Sequence, residues 1–158
     1  MARQVRIIIP GCAHFVIHRS RPGVTLFRDD RDRARYRVLL AERAALHGVA
    51  IGAVSLEPDR VELLLTPETR EGLSRAVGET HRLYARHRDL GEGALWNGRF
   101  QSCPVAPALA AGTEGIRPLL LAGASRGRPV GDESFVAMVE SRTGRNFMPR
   151  RRGRKPKG

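Results

Sequence analysis

Residues 49–65 read Val49-Ala50-Ile51-Gly52-Ala53-Val54-Ser55-Leu56-Glu57-Pro58-Asp59-Arg60-Val61-Glu62-Leu63-Leu64-Leu65, and this stretch decides the fold. Val49 to Leu56 and the more apolar Val61 to Leu65 are two strands, and Glu57-Pro58-Asp59-Arg60 is the turn between them. Strands joined so tightly run antiparallel, because parallel neighbours need a crossover of about a dozen residues. Upstream, Asp29 and Asp30 can cap a helix from about Arg31 to His47. Tyr36, Leu39, Leu40 and Leu46 share one face of it, Arg43 interrupts that face, and Gly48 is placed to end it. Further upstream, Val5 to Ile9 and Phe15 to Ile17 predict one strand reaching about His18, before the turn-like Arg19-Ser20-Arg21-Pro22-Gly23. Downstream, Thr66-Pro67-Glu68 has helix-start chemistry. Leu73, Ala76, Val77, Thr80, Tyr84 and His87 follow at helical spacing to about Asp89. Gly91 to Gly93 breaks the chain, and Leu95 to Cys103 reads as a turn entering another strand. The order β-α-β-β-α-β predicts a ferredoxin-like α+β sandwich, an antiparallel sheet with two main helices.

This predicted domain spans residues 1–105. Residues 106–130 are rich in Ala, Gly and Pro and read as an irregular linker. A short helix falls within 131–144, with Phe135, Met138 and Val139 as its apolar side. Residues 145–158 carry seven Lys and Arg and no acid, a basic tail expected to stay disordered unless a polyanion orders it.

The 158 residues suit one compact domain with a short appendage, and 41% hydrophobic content suffices for a core. Lys and Arg number 28 against 16 Asp and Glu, a net charge of +12. Such an excess repels itself in the folded state unless a polyanion relieves it. Nucleic acid is the usual one, since each neutralised phosphate releases counterions. A membrane surface would want a basic amphipathic helix or a lipidation signal, and neither is seen in the sequence. No apolar stretch approaches the length of a membrane span, and the apolar run after Arg6 is too short for a signal peptide. Cys12 and Cys103 form no Cys-x-x-Cys pair, which excludes a zinc knuckle or a disulfide framework and fits thiols in a reducing cytosol. The expected location is cytoplasmic, with the nucleoid.

Several stretches, in order, are similar to the REP-associated tyrosine transposases of the single-tyrosine HUH superfamily. Arg6-Ile7-Ile8-Ile9-Pro10-Gly11 with His14 and Arg19 resembles the family's opening strand. Leu95-Trp96-Asn97-Gly98-Arg99-Phe100 with Ser102-Cys103 resembles its Leu-Trp-Gln-Gly-Arg-Phe block. Gly131 to Val136 and the Arg-Gly-Arg-Lys-Pro tail resemble its C-terminal end. The resemblance implies recognition of single-stranded hairpin DNA, a divalent metal (magnesium or manganese), and a homodimer of the kind family members form. The departures imply lost chemistry. The family's Met-Pro-Asn-His-Val-His-Leu block corresponds to Glu57-Pro58-Asp59-Arg60-Val61-Glu62-Leu63, so Arg60 and Glu62 replace both metal-binding histidines. Arginine has no lone pair to offer a cation. The family's tyrosine helix has no counterpart after Cys103, as though an internal segment had been deleted, and no tyrosine follows Tyr84. The expectation is therefore no catalytic residue, no metal and no cofactor.

Individual residues carry competing readings. Tyr36 and Tyr84 lie on apolar helix faces and read as packing rather than as nucleophiles, which need an adjacent base or metal. Arg60 and Glu62 read as an ion pair on one face of a strand. His14 and His18 are about 13 Å apart along a strand, too far to share an ion. His47, His81 and His87 read as helix-surface or packing residues. Trp96, expected to be partly exposed beside a glycine turn, could stack an unpaired base together with Arg99 and Phe100, or face the core instead. Arg126-Gly127-Arg128-Pro129 matches the core of an AT-hook, and Arg152-Gly153-Arg154-Lys155-Pro156 is a looser version; generic phosphate contact is the plainer reading of both. Arg31, Arg33, Arg35 and Arg37 read as a solvated helix face. The residues expected to touch nucleic acid are thus Arg19, Trp96, Arg99, Phe100, Arg126, Arg128, Arg150, Arg151, Arg152, Arg154 and Lys155. Two rivals stand beside an inactive DNA-binding relative: a metal-dependent nickase with a rearranged site, and a non-enzymatic basic protein binding RNA or DNA, including a decaying remnant.

Overall fold

The computed structural model describes residues 5–147. Its elements are β1 Ala13–Arg19, α1 Asp30–Leu46, β2 Val49–Glu57, β3 Arg60–Pro67, α2 Gly72–His87, α3 Glu92–Leu95, β4 Gln101–Val105, α4 Pro107–Ala110, α5 Arg117–Arg126 and α6 Glu133–Thr143. A 3-10 turn, Glu114–Ile116, leads into α5. The four strands form one antiparallel sheet in the order β2-β3-β1-β4. The α+β class and the tight β2–β3 hairpin are as the sequence predicts. The helix count is not: among the described residues six helices stand where two main ones and a short third were expected.

Alternation along the strands divides the interior into two layers. Val16, Val61, Leu63 and Leu65 point to the face covered by α1 and α2, where they meet Tyr36, Leu40, Leu73, Val77 and Tyr84. Phe15, Ile17, Leu64, Cys103 and Val105 point the other way, toward Leu120 and Ala124 of α5. Each such buried aliphatic or aromatic side chain contributes about 1.5–3 kcal/mol relative to exposure. The sequence places α1 well. Asp29 caps it by accepting a hydrogen bond from Asp32 N, and Asp30 and Asp32 lie in its first turn, favourably to the helix dipole.

Two expectations fail. Val5 to Ile9 does not join β1. Gly11, with φ +82°, turns the chain after Pro10, and the strand starts at Ala13. Ile7 and Ile9 instead pack with Ala106, Phe135 and Val139, while Ile9 N donates to His14 of β1 and Gly11 N to the Pro67 carbonyl of β3, so the segment lies between α6 and the sheet without becoming a strand. Residues 106–130 are not an irregular linker either. Within them α5 lies on the second face of the sheet, and Val130 bridges Val105 at the β4 edge. The close approach rests on Gly123: a Cβ there would stand 2.5 Å from Val130 Cγ2 and 3.0 Å from the Arg128 carbonyl oxygen.

Candidate functional site

β3 carries Glu62 between Ile17 of β1 and Ser55 of β2, on the sheet face away from α1 and α2. Arg60 shares that face by strand alternation. The predicted pair forms, with Arg60 Nε donating to Glu62 Oε1 at 3.3 Å. A second cation completes it. Arg117, at the start of α5, donates from Nη2 to Glu62 Oε1 at 2.6 Å and from Nε to Oε2 at 3.2 Å. Burial alone would raise the Glu62 carboxyl, but the Arg117 and Arg60 guanidiniums outweigh it and hold the group below the usual carboxylate range. Arg60 is also bonded to Asp59 at 2.8 Å.

These residues do not fit a divalent metal. Two guanidiniums occupy the single carboxylate, and neither offers a lone pair. Among the described residues no three His, Cys, Asp or Glu side chains are grouped so as to hold an ion. Sequence reasoning missed Arg117 because it sits in the Ala- and Gly-rich stretch. The one local signal was Pro118 beside it, which suits a first helical turn.

The Trp96–Phe100 turn presents a different face from the one expected. Trp96 is 2% exposed rather than partly exposed, and its Nε1–H donates to the His81 carbonyl at 3.0 Å. Its ring stacks on His81 at 4.0 Å and His18 at 4.6 Å. Phe100 is buried too, beneath the Arg6 guanidinium. In this conformation both aromatics belong to the core, and neither offers a free face to a base. Asn97, Gly98 and Arg99 form the exposed tip, and Arg19 is exposed at the end of β1.

Beneath the turn runs a buried hydrogen-bonded chain. Tyr36 O–H donates to His81 Nε2 at 2.8 Å. With both imidazoles neutral, His81 Nδ1–H donates to His18 Nδ1 at 2.8 Å, and His18 Nε2–H donates to the Gly98 carbonyl at 2.9 Å. Each ring then has one donor and one acceptor satisfied. Burial pulls His18 down to about 4 and His81 well below its ordinary value. His14 forms a separate knot, accepting from Ile9 N at 3.1 Å and donating to the Cys12 carbonyl at 2.8 Å, and burial lowers it to about 4. His14 and His18 therefore have separate partners, as their spacing on the strand required. His81, read as a surface or packing residue, is the centre of this chain. His47 and His87 instead pair with Glu79 and Asp32, both at 2.9 Å.

Both tyrosines are core residues. Burial raises the Tyr36 hydroxyl above its usual range and pushes Tyr84 up to about 12. Tyr84 O–H donates to the Leu26 carbonyl at 2.6 Å.

Arg126 ends α5, and Gly127, in the left-handed conformation at φ +62°, caps it. That turn is not the extended arm an AT-hook requires, although Arg126 and Arg128 are both exposed. Arg150, Arg151, Arg152, Arg154 and Lys155 lie outside the described residues.

The fold and site thus define an α+β chain whose second sheet face is closed by a helix that contributes Arg117 to an arginine–carboxylate–arginine cluster with Arg60 and Glu62 of β3. No protein-family model matches the chain, nor does any curated protein. Among solved structures it is similar to a REP-associated tyrosine transposase bound to a REP hairpin, with 16% identity, a TM-score of 0.58, and coverage of 80% of this chain and 75% of that one. A candidate transposase from Deinococcus radiodurans aligns at 18% identity and a TM-score of 0.49, covering 75% of this chain and 98% of that one. The first comparison shows a shared fold: the chain is folded like a transposase.

Proposed function

We propose that this chain is a degenerate member of the single-tyrosine transposase superfamily that binds single-stranded hairpin DNA and does not cut it. The observation that carries this reading is a fold shared with a hairpin-bound transposase in a chain of net charge +12. The β1-α1-β2-β3-α2-β4 order is read as a ferredoxin-like core with α4, α5 and α6 added.

Nicking by such a fold needs a metal to polarise the phosphate and an activated tyrosine to attack it. Here Arg60 and Arg117 neutralise the one carboxylate at the corresponding strand positions. Tyr36 and Tyr84 are buried and spend their hydroxyls on core hydrogen bonds. What remains is binding, through exposed arginines such as Arg19, Arg99, Arg126 and Arg128 and through the basic residues beyond 149.

The test is fluorescence anisotropy with a labelled DNA hairpin and a scrambled strand of equal length, across a salt series. Preference for the hairpin at physiological salt is expected. Equal affinity for both, collapsing steeply with salt, would mean charge alone is at work and would refute hairpin recognition.

A further inference from the structure

Three clefts of about 490, 300 and 470 Å³ adjoin one another around the segment 5–10, which runs from Phe100, before β4, to Pro67 at the end of β3. Arg6 lines all three; Arg70 and Arg99 each line two, as does Arg145, while Arg126 and Arg142 line one each. Against six arginines stands one acid, Glu71. Arg70, Arg99, Arg126, Arg142 and Arg145 have no ion pair with any described residue. Other described arginines, Arg31, Arg35 and Arg37 among them, also lack an ion pair, so what sets this group apart is its convergence on adjoining clefts.

Arg6 is the fixed member. Its Nη2 donates to the Phe100 carbonyl at 2.8 Å, and its guanidinium carbon stands 3.6 Å from the centre of the Phe100 ring. Burial and the neighbouring Arg99 charge bring it down to about 10. Six like charges gathered with a single acid repel each other, and an anion in the clefts relieves that repulsion.

We infer that these clefts form one phosphate-binding groove that takes the backbone of a single nucleic-acid strand. The proposal rests on the nucleic-acid-binding reading and gives it a location. The clefts bend around a single extended segment. A flexible strand can follow them at little cost, whereas a duplex, with a persistence length of about 150 base pairs, must be bent to do so. The groove draws on the N-terminal segment, the start of α2, the Trp96–Phe100 turn and the ends of α5 and α6, and contains none of Arg60, Glu62 and Arg117.

The test compares the full chain, an Arg70→Gln/Arg99→Gln/Arg142→Gln variant, and an Arg31→Gln/Arg35→Gln/Arg37→Gln variant that loses equal charge on the exposed face of α1. Binding of labelled oligothymidylate and of a duplex is followed against salt. The groove variant is expected to lose tenfold or more in affinity for the single strand and about 2 in log–log salt slope, at about 0.7 per phosphate contact. The α1 variant is expected to stay close to the parent. Equal losses in both variants, or tighter binding of the duplex by the parent, would overturn the groove while leaving nucleic-acid binding intact. A parent that binds neither probe would overturn both. As an independent check, a photoactivatable thiothymidine strand should cross-link to peptides containing residues 5–10, 70–74 or 99–101. Cross-links confined to residues beyond 149 would contradict the proposal.

Discussion

Leu120→Ala removes the side chain that anchors α5 to the second face of the sheet. Leu120 is 1% exposed and packs in one cluster with Phe15, Ile17, Leu64, Cys103 and Val105. A substitution at such a site loses transfer free energy and leaves a cavity, for a cost of about 2–5 kcal/mol. Leu119, one residue earlier on the same helix, is 58% exposed, so Leu119→Ala should stay within about 0.5 kcal/mol of the parent. Urea unfolding followed by circular dichroism measures the difference between the two. In a chain of this size each kcal/mol shifts the melting temperature by about 2–4 °C, so the Leu120 variant should melt about 4–20 °C lower. If both variants unfold with the parent, α5 is not docked, and the Ala- and Gly-rich stretch is the loose linker that its composition suggests.

Tyr36→Phe should destabilise the fold by about 1–3 kcal/mol in the same assay, because it leaves the buried His81 Nε2 without a donor. No loss of stability would contradict the hydrogen-bonded chain. His14, His18 and His81 are neutral when folded, with lowered pKa values. Below about pH 6.5 the unfolded chain takes up protons that the folded one refuses, so stability should fall from pH 6.5 toward 4. The slope is about 1.4 kcal/mol per pH unit for each histidine kept neutral. A flat stability profile across that window would count against their burial. Asp32 works in the same direction at more acidic pH. Its carboxyl, bonded first to Arg28 and also to His87, is held far below the usual range, and its contribution is lost once it protonates.

Much of the fold was legible because local signals agreed with it. The Pro58-Asp59 turn, the Asp29 cap and the apolar face of α2 each require the element that forms. The first strand was misjudged because Ile7 to Ile9 look as β-prone as Phe15 to Ile17. Only distant partners, the apolar side of α6 for Ile7 and Ile9 and the core under α1 and α2 for Ile8, decide that they pack without pairing as a strand. α5 was missed for a related reason. Its helix is weakly amphipathic in sequence, with Leu119, Leu120 and Leu121 in a row, and the sheet face it covers lies far away in the chain. Of the site, the Arg60–Glu62 pair follows from strand alternation alone, whereas Arg117 needs the tertiary fold to reach it. Trp96 was misplaced because a glycine turn suggests exposure. The neighbouring His18 and His81 rings, which lie hydrogen-bonded side by side against it, come from β1 and α2.

One measurement bears most directly on the reading of a transposase fold that binds without cutting. An end-labelled DNA hairpin is incubated with the protein and magnesium or manganese, and each sample is run on both a native and a denaturing gel. The predicted result is a retarded complex on the native gel and an intact strand, with no covalent protein adduct, on the denaturing one. A metal-dependent nick or adduct would contradict the loss of chemistry. A hairpin that is not retarded at all would contradict the binding.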